Sequence, residues 1–276
     1  MKNRNCLAPL FMGIVLLLVP GILFSQNTSN DSYEPQLGQA GKDVIWYPTP
    51  KALVDTMIEM AKLTSADYLV DLGSGDGRIV IAAAKRGIRA EGVEFNPDMV
   101  EYSKKIAARE GVADKTNFVK ADFYEYDFSK ATVITMFLLP EINRKLRPRL
   151  LELKPGTRII TNSFSMQDWP YDEMRIIEDE SITWNLAYLW IVPAKVEGDW
   201  KCNEGQLKLI QNYQTVSGTL KRGVRYFDIS EGKLEGDIFS FTCNGVNYRC
   251  RVDKNNMNGT SRKGGVSEPW TASRLQ

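Results

Sequence analysis

Apolar residues along this chain fall into three textures. Cys6 to Phe24 is a nearly unbroken uncharged run. Between Asp43 and about Ala194, short apolar runs alternate with stretches whose apolar positions repeat at helical spacing. Beyond Pro193 only short alternating runs remain, set apart by turn residues. The middle texture predicts a helix starting at Thr49-Pro50, the threonine hydroxyl capping its first N–H groups, with Leu53, Val54, Met57, Ile58 and Ala61 on one face. A strand over Tyr68–Leu72, a helix over Arg78–Arg86 and a strand over Ala90–Phe95 follow. Asn96-Pro97 opens a helix that stops at Gly111. Strands are predicted at Asn117–Lys120, Val133–Phe137 and Arg158–Asn162, with a helix over Glu141–Leu153 broken or kinked at Pro148. Ile182–Val192 supplies closing strands. This alternation predicts an α/β fold, a doubly wound, seven-stranded Rossmann-like sheet covered on both faces.

The last texture predicts a small C-terminal all-β domain, an antiparallel meander or small barrel. Its strands are Gln206–Tyr213, Val216–Leu220, Val224–Ser230, Lys233–Thr242, Val246–Val252 and Trp270–Arg274, with turns at Glu231-Gly232 and Asn244-Gly245. Gly218, Gly236 and Gly259 mark a weak internal repeat. The first texture, preceded by Lys2 and Arg4, reads as a secretory signal peptide or a retained membrane anchor. The expected organisation is therefore signal or anchor over 1–25, linker over 26–42, α/β domain over 43–195 and β domain over 196–276. The basic residues before the apolar run favour a cytoplasmic N-terminus with the remainder outside. The chain is expected to be membrane-associated or exported.

Charge alters this picture little. Thirty-five basic and thirty-four acidic residues give a net charge of +1, so the electrostatic argument for nucleic acid as a partner is missing. The chain has no histidine, which excludes His-based nucleophile systems and His-ligated metals. No metal site is expected. Of the four cysteines, Cys202, Cys243 and Cys250 cluster near the C-terminus, where one disulfide and a free thiol are an option.

The chemistry concentrates at Val70-Asp71-Leu72-Gly73-Ser74-Gly75-Asp76-Gly77-Arg78. There an apolar strand ends in a glycine turn that opens a helix. Such a turn lets a ligand approach the backbone at the carboxyl edge of a doubly wound sheet. The glycine spacing and Arg78 depart from the dinucleotide G-x-G-x-x-G pattern, and Asp71 stands before the glycines. That is the D-x-G-x-G-x-G form of class I methyltransferases. Glu94 closes the next strand, where a carboxylate takes ribose hydroxyls. Asp122 follows the third strand, where it accepts from an adenine amino group, with Phe95 or Phe123 beside the ring.

Trp46-Tyr47-Pro48-Thr49-Pro50, the glycine motif through Ile81, Phe137-Leu138-Leu139-Pro140, Ser163-Phe164 and Trp169-Pro170 together resemble the small protein-lysine methyltransferases of the ATP synthase c-subunit and the adenine nucleotide translocase. The resemblance runs from about Val44 to Pro170 and leaves out the β region. It implies S-adenosyl-L-methionine as cofactor, a protein lysine as acceptor, and cofactor contacts at Asp71, Gly73, Ser74, Gly75, Glu94 and Asp122. Tyr47 and Thr49 are implied as a lip over the methionine end. Phe137-Leu138-Leu139-Pro140 stands where amide- and base-directed enzymes carry Asn/Asp-Pro-Pro-aromatic, which argues against those acceptors. Tyr47 and Phe137 are candidate walls of an acceptor slot, and no catalytic base is assigned. The competing expectation is an exported or membrane-anchored protein whose methyltransferase-like domain binds a ligand without turnover.

Overall fold

The computed structural model describes residues 33–178 and 183–275. Its first part runs α1 (Lys51–Ala61), β1 (Tyr68–Leu72), α2 (Arg78–Lys85), β2 (Arg89–Glu94), α3 (Pro97–Arg109), β3 (Thr116–Lys120), β4 (Val133–Met136), α4 (Pro140–Leu150), β5 (Arg158–Asn162), β6 (Glu173–Ile176) and β7 (Leu186–Ile191). These strands form one seven-stranded sheet in the order β3-β2-β1-β4-β5-β7-β6. β1 to β5 are parallel, and β7 runs antiparallel to both β5 and β6. The chain direction across the sheet reverses between β1 and β4. Their carboxyl ends therefore open the crevice in which such sheets place ligands. Apolar clusters cover the two faces, one built on α1 and α2, the other on α4 with Trp169 and Trp190.

Several local expectations change. Thr49 does not cap α1: Pro50 holds the cap position without a side-chain bond, and the Thr49 hydroxyl accepts from Asn162 Nδ2 at 3.2 Å. A tertiary partner outcompetes the local one. α4 passes through Pro148, which falls in its last turn, where little of the hydrogen-bond ladder remains to be lost. β6, Glu173–Ile176, lies at the sheet edge with half its side chains exposed, a pattern too polar to signal a strand. The first part of the predicted closing segment, around Ile182, lies outside the described residues, as does the N-terminal apolar run. Among the described residues, no helix is long and apolar enough to cross a membrane.

The second part is a closed antiparallel barrel of eight strands: β8 (Gly198–Cys202), β9 (Gly205–Asn212), β10 (Thr215–Arg222), β11 (Arg225–Glu235), β12 (Ile238–Cys243), β13 (Val246–Asp253), β14 (Asn256–Lys263) and β15 (Val266–Arg274). Each strand pairs with its sequence neighbours, and β15 closes on β8. Glu231-Gly232 is not a turn. β11 continues through it as a bulge, with Glu231 at φ 54° and the register shifting against both neighbours. A bulge bends a strand as barrel closure demands, and the same two residue types serve either purpose. β14 escaped prediction because its outward polar residues dominate its composition. Alternate residues fill the interior, among them Trp200, Phe239, Tyr248 and Trp270. The three cysteines also lie buried as free thiols, so the optional disulfide is not formed among the described residues. Cys250 stands opposite Phe239 and Cys243 opposite Val246, so the two thiols of β12 and β13 are out of register. Burial pushes all three thiols up, Cys250 to about 12.

One end of the barrel is fixed to the sheet domain. Trp169 is 1% exposed, stacks on Tyr213 with centroids 5.8 Å apart, and donates from Nε1 to Gln214 Oε1 at 3.0 Å. Gln214 Nε2 donates to the Pro170 carbonyl at 2.7 Å, and the Ala194 N–H to the Gly236 carbonyl at 2.8 Å. Burying an aromatic of this size is worth about 3–5 kcal/mol by truncation, whereas an exposed pair such as Lys195–Glu152 contributes under about 1 kcal/mol. The indole therefore holds the junction.

Candidate active site

At the carboxyl end of β1 the chain turns through Gly73, Gly75 and Gly77, with φ of 75°, 52° and 77°. Two of these positions exclude side chains by contact as well as by backbone. A Cβ on Gly77 would stand 2.6 Å from the Phe118 ring, and one on Gly75 2.5 Å from the Trp46 indole. The Gly73 and Ser74 N–H groups donate to the Val93 carbonyl at 2.8 and 3.1 Å, which ties the loop to β2. Glu94, at the end of β2, secures it from the other side. One carboxylate oxygen accepts from Gly75 N at 3.0 Å and the other from Asn96 N at 2.9 Å. Asn96 in turn caps α3 through Asp98 N, at 2.9 Å.

All eight predicted contact residues line one cleft: Tyr47, Thr49, Asp71, Gly73, Ser74, Gly75, Glu94 and Asp122. Its space, including the open mouth, is about 890 Å³. Phe95 and Phe123 line it as well. Three features went unseen in the sequence. The segment Gln39–Val44, at and beyond the end of the expected linker, forms part of the wall, and Trp46 lies on the glycine loop. Arg78 pairs with Asp76 and donates to the Thr49 carbonyl at 2.8 Å, fastening this strap to α2. Lys42 forms a short ion pair with Asp122 and sits 5.1 Å from the Phe95 ring centroid. Burial would raise the Asp122 carboxyl, but the Lys42 ammonium and the Tyr124 N–H outweigh it and hold it below the usual range. The same hydrogen bond raises Lys42.

The cleft floor is acidic. Asp71 is 3% exposed and accepts from Thr135 Oγ1 at 2.7 Å. Burial pushes its carboxyl up to about 7, against the Thr135 bond and with repulsion from Asp76 and Glu94. Such a floor repels a pyrophosphate and suits a cationic ligand. Ser74 Oγ is buried there without a hydrogen-bond partner among the described residues. Because the folded-state pKa lies above the unfolded one, the Asp71 contribution is fully present below about pH 4 and is lost as pH rises to about 7. Asp71→Asn is therefore expected to remove a pH-dependent stability loss of up to about 4 kcal/mol. Urea melts at pH 5 and pH 8 check this: the variant should gain more on the parent at pH 8 than at pH 5, where the loss has only begun, and an equal offset at both would refute it.

Beside the cleft, four rings converge. Phe137 follows β4, Phe164 follows β5, Trp184 precedes β7 and Tyr47 comes from the strap. Trp184 lies 5.5 Å from Phe164, 5.7 Å from Phe137 and 6.1 Å from Tyr47, while Phe137 and Phe164 stack at 6.0 Å. Asn162, fully buried, links the two halves: Nδ2 donates to Thr49 Oγ1, and its Oδ1 accepts from the Ser163 hydroxyl. Trp184 Nε1 is buried without a hydrogen-bond partner among the described residues. Phe164 and Trp184 were not assigned to the slot from sequence. Phe164 entered only through the Ser163-Phe164 resemblance and Trp184 through no motif, and only the fold brings them to Phe137. Among the described residues, no cluster of His, Cys, Asp and Glu has metal-binding geometry.

Residues 71–173 match the family described as the ANTKMT methyltransferase domain, a match that ends before the barrel. A protein-lysine N-methyltransferase of Saccharolobus islandicus is 40% identical over 152 residues, 54% of this chain and 94% of that protein. The human lysine N-methyltransferase of the ATP synthase c-subunit is 37% identical over 128 residues, 46% of this chain, and the match spans 54% of that enzyme. This chain thus spans about half the length of the human enzyme. A crystal structure from Salinibacter ruber, described as an RNA methyltransferase in complex with S-adenosyl-L-homocysteine, is 45% identical, with a TM-score of 0.51 over 54% of this chain and 96% of that one.

Proposed function

The chain belongs to the ANTKMT methyltransferase family, and from that membership we propose that it transfers a methyl group from S-adenosyl-L-methionine to the side-chain amine of a protein lysine. The observation that carries the acceptor is the aromatic slot of Tyr47, Phe137, Phe164 and Trp184 against the acidic cleft. The residues present fit the cofactor. Glu94 keeps acceptor capacity on both oxygens for the ribose hydroxyls, Asp122 faces the adenine end, and the Asp71 floor suits a positively charged methionine end. S-adenosyl-L-methionine brings a methyl group already electrophilic on a sulfonium.

The chain's own task is then alignment and desolvation. A lysine amine, which in water titrates near about 10.4, must lose a proton before it attacks. Four rings stabilise an ammonium by about 1–2 kcal/mol through their faces. Desolvation and repulsion beside a second cation work the other way, with about 4 kcal/mol for a charge pair at contact in an effective dielectric of about 20. The second effect is the larger, so the ammonium gives its proton to bulk water before entry and the amine enters neutral without a dedicated base. Excess charge for an RNA acceptor is missing, since the chain carries +1 overall. The non-catalytic binding reading is disfavoured by relatives that are methyltransferases across nearly their whole length. In this proposal the apolar run Cys6–Phe24 holds the chain at a membrane, and a reporter fused after Gln276 reads its side. Incubating the protein with radiolabelled S-adenosyl-L-methionine and membrane lysate should label protein at lysine, located by mass spectrometry. Label in RNA alone would overturn the acceptor.

A further inference from the structure

The barrel has a free end. The β9–β10 and β11–β12 turns, at Gln214 and Gly236, are held by the sheet domain. The β8–β9, β10–β11, β12–β13 and β14–β15 turns lie at the opposite end. Two of these hairpins overhang the neighbour on one side, while on the other β9 stays paired with β10 to Lys221 and β13 with β14 to Arg262. Cys243 pairs with Ile229 rather than with Arg225, and Cys202 pairs with Ala272 rather than with Val266. The overhanging tips carry the apolar residues: Val224 is 93% exposed, and Tyr226 and Val266 are each 64% exposed. An aliphatic side chain almost wholly in water at a hairpin tip gains nothing from the fold.

Charge accompanies them. The segments 219–226 and 260–267 contain no acidic residue, and Lys221, Arg225, Arg262 and Lys263 lack salt-bridge partners among the described residues. Arg222 is different: it turns into the barrel mouth, paired with Glu204 and donating to Tyr248 Oη at 2.6 Å. The free cations thus flank the two apolar tips, two on each hairpin, with Asp228 and Glu268 the next acidic residues along the strands.

We propose that this end of the barrel docks on an anionic phospholipid bilayer, with Val224 and Val266 entering the headgroup–acyl boundary and the four cations facing lipid phosphates. Two separate aliphatic prominences without a groove between paired surfaces suit a deformable lipid boundary, and the basic flank supplies attraction to its negative potential. Docking there would bring the barrel between the bilayer and the sheet domain, independently of any activity.

The test must be resolved by position, because residues 1–32 also carry an apolar run. The full chain is prepared with benzoylphenylalanine at 224, at 266 or at 210. Ile210, 57% exposed on the barrel wall, is the control. Each protein is irradiated with vesicles of phosphatidylcholine containing one-fifth phosphatidylglycerol. Lipid adducts at 224 and 266 should exceed those at 210 at least tenfold, and Lys221→Glu with Lys263→Glu should cut them at least tenfold while circular dichroism stays unchanged. Equal adducts at all three positions, or tip adducts that persist in the charge-reversed protein, would overturn the proposal. So would tip cross-links made only to another copy of the chain, which would mark a protein-docking end instead.

Discussion

Glu94→Ala is expected to weaken S-adenosyl-L-methionine binding by roughly 30- to 100-fold, about 2–3 kcal/mol, in titration calorimetry. The size follows from what the carboxylate does before any ligand arrives. It accepts from Gly75 N and Asn96 N, joining the glycine loop after β1 to the start of α3. Alanine strands both donors and also removes the acceptors intended for the ribose. Glu94→Gln keeps a carbonyl oxygen for one of the two N–H groups and should lose less, which separates loop support from the negative charge. Helix and sheet content should be unchanged, since α2 and β2 rest on the buried apolar cluster that includes Val80 and Phe118. An affinity within twofold of the parent, in a folded Glu94→Ala protein, would remove the cofactor site from this cleft.

The cleft was legible for a physical reason. A strand that ends in glycines and a carboxylate that closes the next strand are local features, fixed in sequence by the backbone conformations they require. Gly77 must be glycine because Phe118 occupies the place of its Cβ and its φ is positive, and it stands directly before α2, whose apolar periodicity is clear. Contacts between distant segments were not legible. Thr49 looked like a cap and is a partner of Asn162, more than a hundred positions away. Asp122 looked free for a ligand and is already paired with Lys42 from the strap. Glu231-Gly232 looked like a turn because the dipeptide is compatible with a turn or a bulge, and only barrel closure decides between them. The barrel's existence could be read from its short alternating runs, but its closure through β8 and β15 depends on pairing that no local pattern encodes.

The acceptor slot is the part that tertiary structure alone assembles, and Trp184 tests it most directly. Trp184→Ala should lower kcat/KM for a protein acceptor by roughly 30- to 100-fold while the affinity for S-adenosyl-L-methionine stays within about twofold. The asymmetry is the diagnostic. Trp184 packs on Phe137, Phe164 and Tyr47, and only Tyr47 is shared with the cofactor residues, the others of which lie on or just after β1, β2 and β3 or on the strap at Thr49. Trp184→Phe divides the effect further. It keeps an aromatic face for the amine but removes the buried Nε1–H, which has no partner among the described residues. In the free protein that donor costs about 1–3 kcal/mol of lost hydration, recovered only if the bound acceptor offers it an oxygen. If the indole N–H reads the acceptor's backbone, Trp184→Phe should raise KM and leave kcat nearly intact, whereas Trp184→Ala should lower both kcat and kcat/KM by opening the slot to water. Equal kinetics for the two variants would assign the whole role to ring packing. An unchanged kcat/KM in both would move the acceptor away from this wall of the cleft.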